Sequence, residues 1–564
     1  MRILLTTLHS KYIHASLALP LLAAYCRDLG ADLQIREFTV HEPREQLLGA
    51  LLAEAPDVIA FSIAIWNRRQ TLELADALVT VRPELRIVIG GPEVSFDGPE
   101  LLARHPAIRA LVRGEGEEPL RGLLAAWLQN RPPEQVPRLT WRDGETVREN
   151  PDGPVLAVLD AIPSPFELGL VDLNRGFVYL ETSRGCPYRC AFCMSALETT
   201  VRSYSMDRIC RDLDLLMSQG VSRIKLVDRT FNYDPERARQ IFKYILRHNR
   251  GSHFHFEIGG HLLDQATLQL LSEVPPATFQ FEIGIQSTLP DTLRAIQRPE
   301  ALDVLETNVR RLRQIGTIQL HLDLIAGLPG QGFKDFLHSI DRVAALRPHH
   351  LQLEPVKLLP GAPLRRDASR YGIRFDPHPP YSVLGTSHMS FAELERLRGI
   401  GRLVDLTYNE QRGRPFLEAL SSICGSLGDG LECLEAFWRE QGLFRRPLAQ
   451  REIFERLWEF SRCHFSPSQQ KYLGESLAWG LALSERIAQD KVPDFFDTDL
   501  DAEEKQRVRE RLRRVQAALK GRGFKVQHLA ARFHHRSGLP AAGLVLFLYL
   551  TRPGRPLYVR YRPV

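Results

Sequence analysis

The chain lacks any apolar run long enough to cross a bilayer. Its longest late run, "AAGLVLFLYL" at 541–550, is about half of the ~20 residues a spanning helix needs. It lacks a leader pattern too: "MRILLTTLHSKYIH" turns polar at once, with no h-region and no small-residue cleavage site. Net charge is scarce, +5 over 564 residues, so bulk electrostatics name no partner. Cysteine is sparse, eight in all, and Cys26, Cys210, Cys424, Cys433 and Cys463 are widely scattered. That spacing excludes the disulfide framework of a small secreted protein. Low-complexity segments and short fixed repeats are absent. A cytoplasmic protein with no membrane partner is expected.

What is present is the composition of a globular protein, 44% hydrophobic and 25% charged, with length for three or four domains. Residues 1–130 alternate strand and helix signals: "RILLTTL", "DLQIREFTV", "DVIAFSIAI", "RIVIGG" and "ALVRGEGE" are strands, with a helical pattern after each but "RIVIGG". Five βα units in series predict a doubly wound Rossmann-like sheet, which binds ligands at the carboxyl ends of its strands. Residues 131–175 read as a Pro-rich linker with a hairpin turning at Asp143-Gly144. Residues 176–386 start a second series, six βα repeats that predict a TIM-type barrel or partial barrel, with an open sheet as the alternative. Residues 387–564 read as a mainly helical domain, opened by the capping box "SFAE" at 390–393. "DTDLDAEEKQ" reads as an acidic break, and a small strand-rich unit follows from Gly521. That unit carries Arg522, Lys525, Arg532, Arg536, Arg552, Arg555, Arg560 and Arg562 with no acid, and is read as a solvated face, not a nucleic-acid surface.

The remaining three cysteines are clustered, in "SRGCPYRCAFCMS" at 183–195. Structural zinc sites and closed iron–sulfur clusters use four ligands. A zinc knuckle with a distant fourth ligand and a ferredoxin-like carrier are both compatible with the triplet. So is a cluster held by three thiolates, which leaves one iron with a free position for a ligand. Cys424, Cys433 and "CH" at 463–464 fit no such spacing and read as free thiols.

The stretch "CPYRCAFC", after a strand and before five further βα units, resembles the radical S-adenosylmethionine (SAM) superfamily signature C-x3-C-x2-C. The resemblance implies a partial (β/α)6 barrel in which Cys186, Cys190 and Cys193 hold a [4Fe–4S] cluster, with Phe192 before the third cysteine. SAM would chelate the fourth iron and be split reductively to a 5′-deoxyadenosyl radical that abstracts hydrogen from substrate. "FEIGIQS" resembles the fourth strand, where Glu282 and Gln286 share a face and would contact SAM. "LDLIAGLPGQ" resembles the fifth-strand segment along the adenine, with Gly327 and Gly330 permitting close approach. Asp228 in "LVDRTF" is expected to face the same mouth and contact SAM or substrate, with a local turn role as the alternative.

The N-terminal domain resembles cobalamin-binding domains. "SIA" at 62–64 and "GG" at 90–91, continued as "GGPEVSF", match the family's later loops, implicating Ser62, Gly90, Gly91 and Pro92. Their usual first motif, D-x-H-x-x-G, is missing, and His9 and His14 do not match its spacing. A related subgroup lacks that motif as well, which implies cobalamin bound between the domains without a protein histidine on cobalt. "VKLLPGAPLRRDASRYGIRF" onward resembles an uncharacterised branch with a C-terminal domain of unknown function. The implied activity is a cobalamin-dependent radical SAM C-methyltransferase fed by a low-potential donor such as flavodoxin or ferredoxin, with an unknown organic substrate. A radical SAM oxidoreductase or cyclase without methyl transfer, and a cofactor-binding sensor without turnover, are the rival readings.

Overall fold

A computed structural model describes every residue except 300, 489–490, 520–522, 536–542, 553 and 555–556. Arg522, Arg536 and Arg555 of the basic terminus, and the first two residues of the 541–550 run, therefore lie outside the described residues.

The first domain is the expected alternation: β1 (Arg2–His9), α1 (Ala18–Cys26), β2 (Asp32–Thr39), α2 (Arg44–Ala53), β3 (Val58–Ser62), α3 (Arg68–Val81), β4 (Arg86–Gly90), α4 (Gly98–Arg104), β5 (Ile108–Val112) and α5 (Glu117–Leu128). The five strands are parallel in the order β2-β1-β3-β4-β5. The inner strands are continuous apolar runs because both faces are covered. One face packs around Leu47, Leu74 and Leu101, the other around Leu19, Leu120 and Leu123. Strand order reverses beside β1, so a crevice forms at the carboxyl ends there. The linker hairpin, β6 (Leu139–Asp143) and β7 (Thr146–Glu149), is not a free linker element. It adds two antiparallel strands to the edge at β5.

The second domain holds six parallel strands in chain order: β8 (Val178–Leu180), β11 (Arg223–Leu226), β12 (His253–Glu257), β13 (Phe279–Gln286), β14 (Gln319–Ala326) and β15 (His350–Pro355). A two-residue ladder, β9 (Ser183–Arg184) with β10 (Arg202–Ser203), lies between the first two. The connecting helices are α6 (Met206–Ser218), α7 (Pro235–His248), α8 (Gln265–Leu271), α9 (Pro290–Ala295), α10 (Leu302–Ile315) and α11 (Phe333–Ala344). Among the described residues no pairing joins β8 to β15, so this is a partial barrel. Its central strands β12, β13 and β14 alternate strictly. In β13, Phe279, Phe281, Ile283 and Ile285 are buried, while Gln280, Glu282, Gly284 and Gln286 face the half-open lumen.

The chain continues through α12 (Pro363–Arg366), a small ladder of β16 (Arg374–Phe375) and β17 (Val383–Gly385), and five helices: α13 (Phe391–Val404), α14 (Arg414–Cys424), α15 (Leu427–Glu440), α16 (Gln450–His464) and α17 (Pro467–Ser484). Ser390 and Glu393 form the expected capping box on α13. Residue 386 is no break in packing: one core runs from Leu159, ahead of the first barrel strand, to Tyr549. The helices cover the open barrel edge. Gly401 of α13 lies against β15, where a Cβ would meet the Leu353 carbonyl at 3.0 Å. The Asn409 amide pairs with both backbone groups of Leu351, at 2.8 and 2.9 Å, as a neighbouring strand would.

The acidic stretch near 500 is not simply a break. It opens α18 (Ala502–Leu519), with Asp501 accepting from the Glu504 amide at 2.8 Å and two glutamates in the first turn. Acids suit that position because the helix N-terminus carries partial positive charge. The terminal unit is an antiparallel sheet of β18 (Lys525–Phe533), β19 (Gly543–Thr551) and β20 (Tyr558–Pro563). Among the described residues no helix is long and apolar enough to cross a membrane.

Candidate active site

The cysteine loop starts where the chain leaves β9 and ends where it returns on β10. Gly185 is a requirement there. Its φ is +90°, and a Cβ would sit 2.3 Å from the Thr200 carbonyl. The Cys186 amide donates to the Glu198 carbonyl at 3.0 Å. The loop centre is pinned to the barrel through Ala191, whose amide donates to Ile296 and whose carbonyl accepts from Leu364. Cys186 and Cys190 are buried and Cys193 is half-buried; all three are free.

Each sulfur has a polar neighbour. Thr230 Oγ1 lies 3.4 Å from Cys186 Sγ, the Ser195 amide donates to Cys193 Sγ at 3.4 Å, and Arg298 Nη1 donates to Cys190 Sγ at 3.5 Å. Burial pushes the Cys190 thiol up, and Arg298 works against it. Among the described residues no three His, Cys, Asp or Glu groups converge as ligands of one ion would. Three free thiols on one loop are the donor set of a cubane cluster that keeps one iron open. Phe192 packs half-buried against the barrel core.

Of the other barrel positions, Glu282 and Gln286 do share the lumen face. Gln286 sits on a bulge, with φ +71°, where the β13–β14 register slips. Its Oε1 is buried without a hydrogen-bond partner, an acceptor free for a ligand donor. Arg298 also donates to the Gly284 carbonyl beside this bulge, tying β13 to Cys190. Sequence reasoning missed Arg298, which lies 108 residues from Cys190 in a loop without a periodic pattern.

Two expectations need correction. Asp228 does not face the mouth. It is 0% exposed, and its carboxylate accepts from the Thr182 amide at 3.1 Å, Thr182 Oγ1 at 2.6 Å and Ser183 Oγ. It ties the end of β11 to the strand leading into the cysteine loop. Gly327 has the expected positive φ, but Val383 and Leu394 occupy its Cβ direction, so the close approach there is protein packing.

The lumen carries a charged row assembled across strands. Lys225 Nζ lies 4.0 Å from Glu257 and 3.8 Å from Glu282. His255 reaches Glu282 at 2.9 Å, and His321 reaches Asp323 at 3.1 Å. Burial pushes Glu257 up to about 7, reinforced by Glu282 beside it. Burial would raise Glu282 too, but His255, Lys225 and His321 outweigh it and hold Glu282 down to about 2.

A cavity of about 550 Å³ lies between the two domains. Ser62, Gly90, Gly91 and Pro92 line one side, with Leu17 and Leu22 of the α1 region; Gly185, Met194 and Ser195 of the cysteine loop line the other. The sequence thus brings all four N-terminal candidates to one wall. Gly91 is demanded by the backbone: its φ is +109° and a Cβ would meet the Ile63 carbonyl at 2.4 Å. Neither His9 nor His14 lines the cavity. His9 is buried against Glu37 at 3.4 Å, and His14 pairs with the Tyr179 hydroxyl at 3.1 Å. The rim is an ion-pair cluster that spans the junction. Arg184 contacts Glu181 at 2.9 Å and Glu117 at 2.7 Å, and Arg202 contacts Glu115 and Glu198. A second clamp joins Arg68, Asp97 and Glu93 to Tyr381.

A doubly wound domain facing a partial barrel through a three-cysteine loop defines a class of two-cofactor radical enzymes, and sequence comparisons agree. Family profiles match a B12 binding domain over residues 3–124, the radical SAM superfamily over 180–343 and a protein of unknown function (DUF4080) over 369–531. The chain belongs to the cobalamin-binding radical SAM superfamily and carries that uncharacterised C-terminal domain. It is 29% identical over 354 residues to the cobalamin-dependent radical SAM methyltransferase TokK of Streptomyces tokunonensis, covering 57% of this chain and 50% of the relative. It is 28% identical over 381 residues to 2-(S-pantetheinyl)-carbapenam-3-carboxylate methyltransferase of Streptantibioticus cattleyicolor, covering 62% and 54%. The chain thus spans about half the length of these curated relatives. Its fold resembles the cobalamin-dependent SAM radical enzyme OxsB with aqua-cobalamin bound, with a TM-score of 0.60 and 17% identity over 85% of this chain and 79% of that one. It also resembles the methyltransferase TsrM of Kitasatospora setae with cobalamin and a [4Fe–4S] cluster bound, with a TM-score of 0.55 and 19% identity over 67% and 78%.

Proposed function

We propose that the chain is a cobalamin-dependent radical SAM methyltransferase that acts on carbon of an organic substrate. The observation that carries this reading is the single cavity faced by both the cobalamin-domain loops and the cysteine loop. The names of TokK and the carbapenam methyltransferase favour methyl transfer over cyclisation.

When bound, the cluster with SAM supplies a 5′-deoxyadenosyl radical and cobalamin supplies a methyl group. The chain's own residues bind and aim these groups. Cys186, Cys190 and Cys193 hold the cluster as thiolates, and the donors beside the sulfurs favour the charged form and tune its potential. Glu282 and the free Oε1 of Gln286 accept hydrogen bonds from SAM, and Arg298 keeps that bulge in register with Cys190. Phe192 packs the cysteine loop onto the barrel core. Ser62, Gly90, Gly91 and Pro92 would form the cobalamin wall. The Arg184 and Arg202 cluster closes the rim and limits water entry. Electrons come from a low-potential donor such as flavodoxin or ferredoxin.

The test is anaerobic reconstitution with iron, sulfide and cobalamin, followed by reduction, addition of methyl-labelled SAM and candidate organic substrates, and quantification of 5′-deoxyadenosine, S-adenosylhomocysteine and label in product. The expected result is cluster-dependent formation of all three, lost in Cys193→Ala. Rearranged product without label overturns methyl transfer. Intact SAM with both cofactors bound, across substrates, overturns the enzymatic reading.

A further inference from the structure

The small net charge of the chain conceals a strong segregation. Glu510 is the last acidic residue, and the 54 residues after it carry 12 Lys and Arg. The first 510 residues are therefore net acidic, at −7. Much of the basic charge falls on the terminal sheet and the helix that covers it.

The sheet has two faces with different duties. Val545, Phe547 and Tyr549 of β19 join the main core. Leu544, Leu546 and Leu548 form a separate core with Val508, Leu512 and Val515 of α18. Directly opposed residues of an antiparallel pair point to the same face. Arg562 opposes Leu546, Arg560 opposes Leu548 and Tyr558 opposes Leu550. So Tyr558, Arg560 and Arg562 stand on the edge strand beside α18, on the face that α18 covers. On α18 itself, Arg509 and Arg513 are exposed, one turn apart, and neither makes a salt bridge among the described residues. Tyr558 is 52% exposed, with the Arg560 guanidinium 5.0 Å from its ring centre.

We propose that this face, formed by α18 and the edge strand β20, binds single-stranded nucleic acid. Phosphates sit on Arg509, Arg513, Arg560 and Arg562, and an unstacked base lies on Tyr558. Arg562 donates to the Tyr561 carbonyl at 3.4 Å, and none of the four arginines has a carboxylate partner among the described residues; such arginines beside an exposed flat ring are the combination that single-strand binding uses. A duplex keeps its bases stacked and leaves the ring unused. An anionic membrane fits worse, because the apolar side of α18 is turned into the sheet and has nothing to insert. The sequence reading took the basic terminus as a solvated face; strand register places Tyr558, Arg560 and Arg562 on one face of the sheet.

The test uses the full chain and a fluorescent RNA of about 20 nucleotides, with DNA of the same sequence as a parallel arm, read by polarisation. Binding is expected, and is expected to weaken about tenfold between roughly 50 and 200 mM salt. The double variant Arg509→Glu with Arg513→Glu is expected to weaken it about tenfold further, with Arg509→Gln and Arg513→Gln as the alternative if circular dichroism shows misfolding. Tyr558→Ala is expected to cost about fivefold or more. RNA preferred over DNA, or equal affinity, both support the proposal and distinguish the strand type. It is overturned by no binding at low salt, by binding indifferent to the arginine variants, by a Tyr558→Ala variant that binds normally, or by a preference for phosphatidylserine vesicles over either strand.

Discussion

The barrel has two flanks, and they are joined to the molecule differently. Toward the N-terminal domain the contact is hollow: an arginine–glutamate cluster beside a 550 Å³ cavity lined mainly by apolar side chains. Toward the C-terminal helices it is apolar and continuous, one core running across it, with Asn409 completing the hydrogen bonds of the exposed β15 edge. The first junction keeps room for something to bind. The second removes an edge that would otherwise pair with another chain. The domain of unknown function thus has a structural duty apart from any role in substrate choice, and mutations on the two sides should separate chemistry from stability.

The largest separation is expected at the hollow side. Cys193→Ala removes one of three thiolates from a half-buried loop position. It is expected to abolish 5′-deoxyadenosine formation in the reconstituted protein while the thermal unfolding midpoint of the cofactor-free chain changes little. The opposite pattern is expected at the filled side. Asn409→Leu strips the partners from the Leu351 amide and carbonyl, and should destabilise the chain by about 2 kcal/mol in urea unfolding. Cobalamin retention should be unchanged. An Asn409→Leu chain that loses cobalamin but keeps its stability would collapse the distinction between the flanks.

Ser62→Phe sharpens the comparison within the hollow side. Ser62 ends β3 on the cavity wall, and a ring there fills space rather than breaking a core. Cobalamin affinity should fall about tenfold, which is ~1.4 kcal/mol, with unfolding unaltered. Equilibrium dialysis of cobalamin against the wild-type chain decides it. Unchanged affinity would mean that cobalamin does not use this wall.

The sequence made the local parts of the site legible and hid the assembled ones. The cysteine triplet is a contiguous pattern, and the six barrel strands announce themselves by period-two runs such as "FQFEIGIQ". Glu282 and Gln286 followed from that parity. Asp228 was misjudged because it lies beyond the end of β11, where parity no longer fixes direction, and its carboxylate turned inward to Thr182 and Ser183. Arg298 and the Arg184 cluster join residues far apart in the chain, and no spacing encodes such contacts. The acidic stretch opening α18 was taken for a break because its acids signal polarity before they signal a helix terminus.

The smallest effect expected belongs to the lumen between the flanks, and it is a pH dependence. Glu257 is pushed up to about 7 by burial and by Glu282, with Arg229 and Lys225 acting the other way and Asp323 adding to the rise. An unfolded glutamate titrates near 4.3, so in this window the folded chain holds a proton that the unfolded chain has lost. The contribution of Glu257 is therefore fully present below about pH 4 and declines as pH rises through about 7. Glu257→Gln keeps the shape and removes the titration. At pH 8 the variant should be more stable than the wild type by about 1 kcal/mol, because the half-open lumen and Lys225 screen much of the full burial cost. At pH 5 the two should unfold alike. Urea midpoints at both pH values measure the difference, and a variant less stable at pH 8 would mean that the ionised carboxylate, paired with Lys225, holds the barrel strands together.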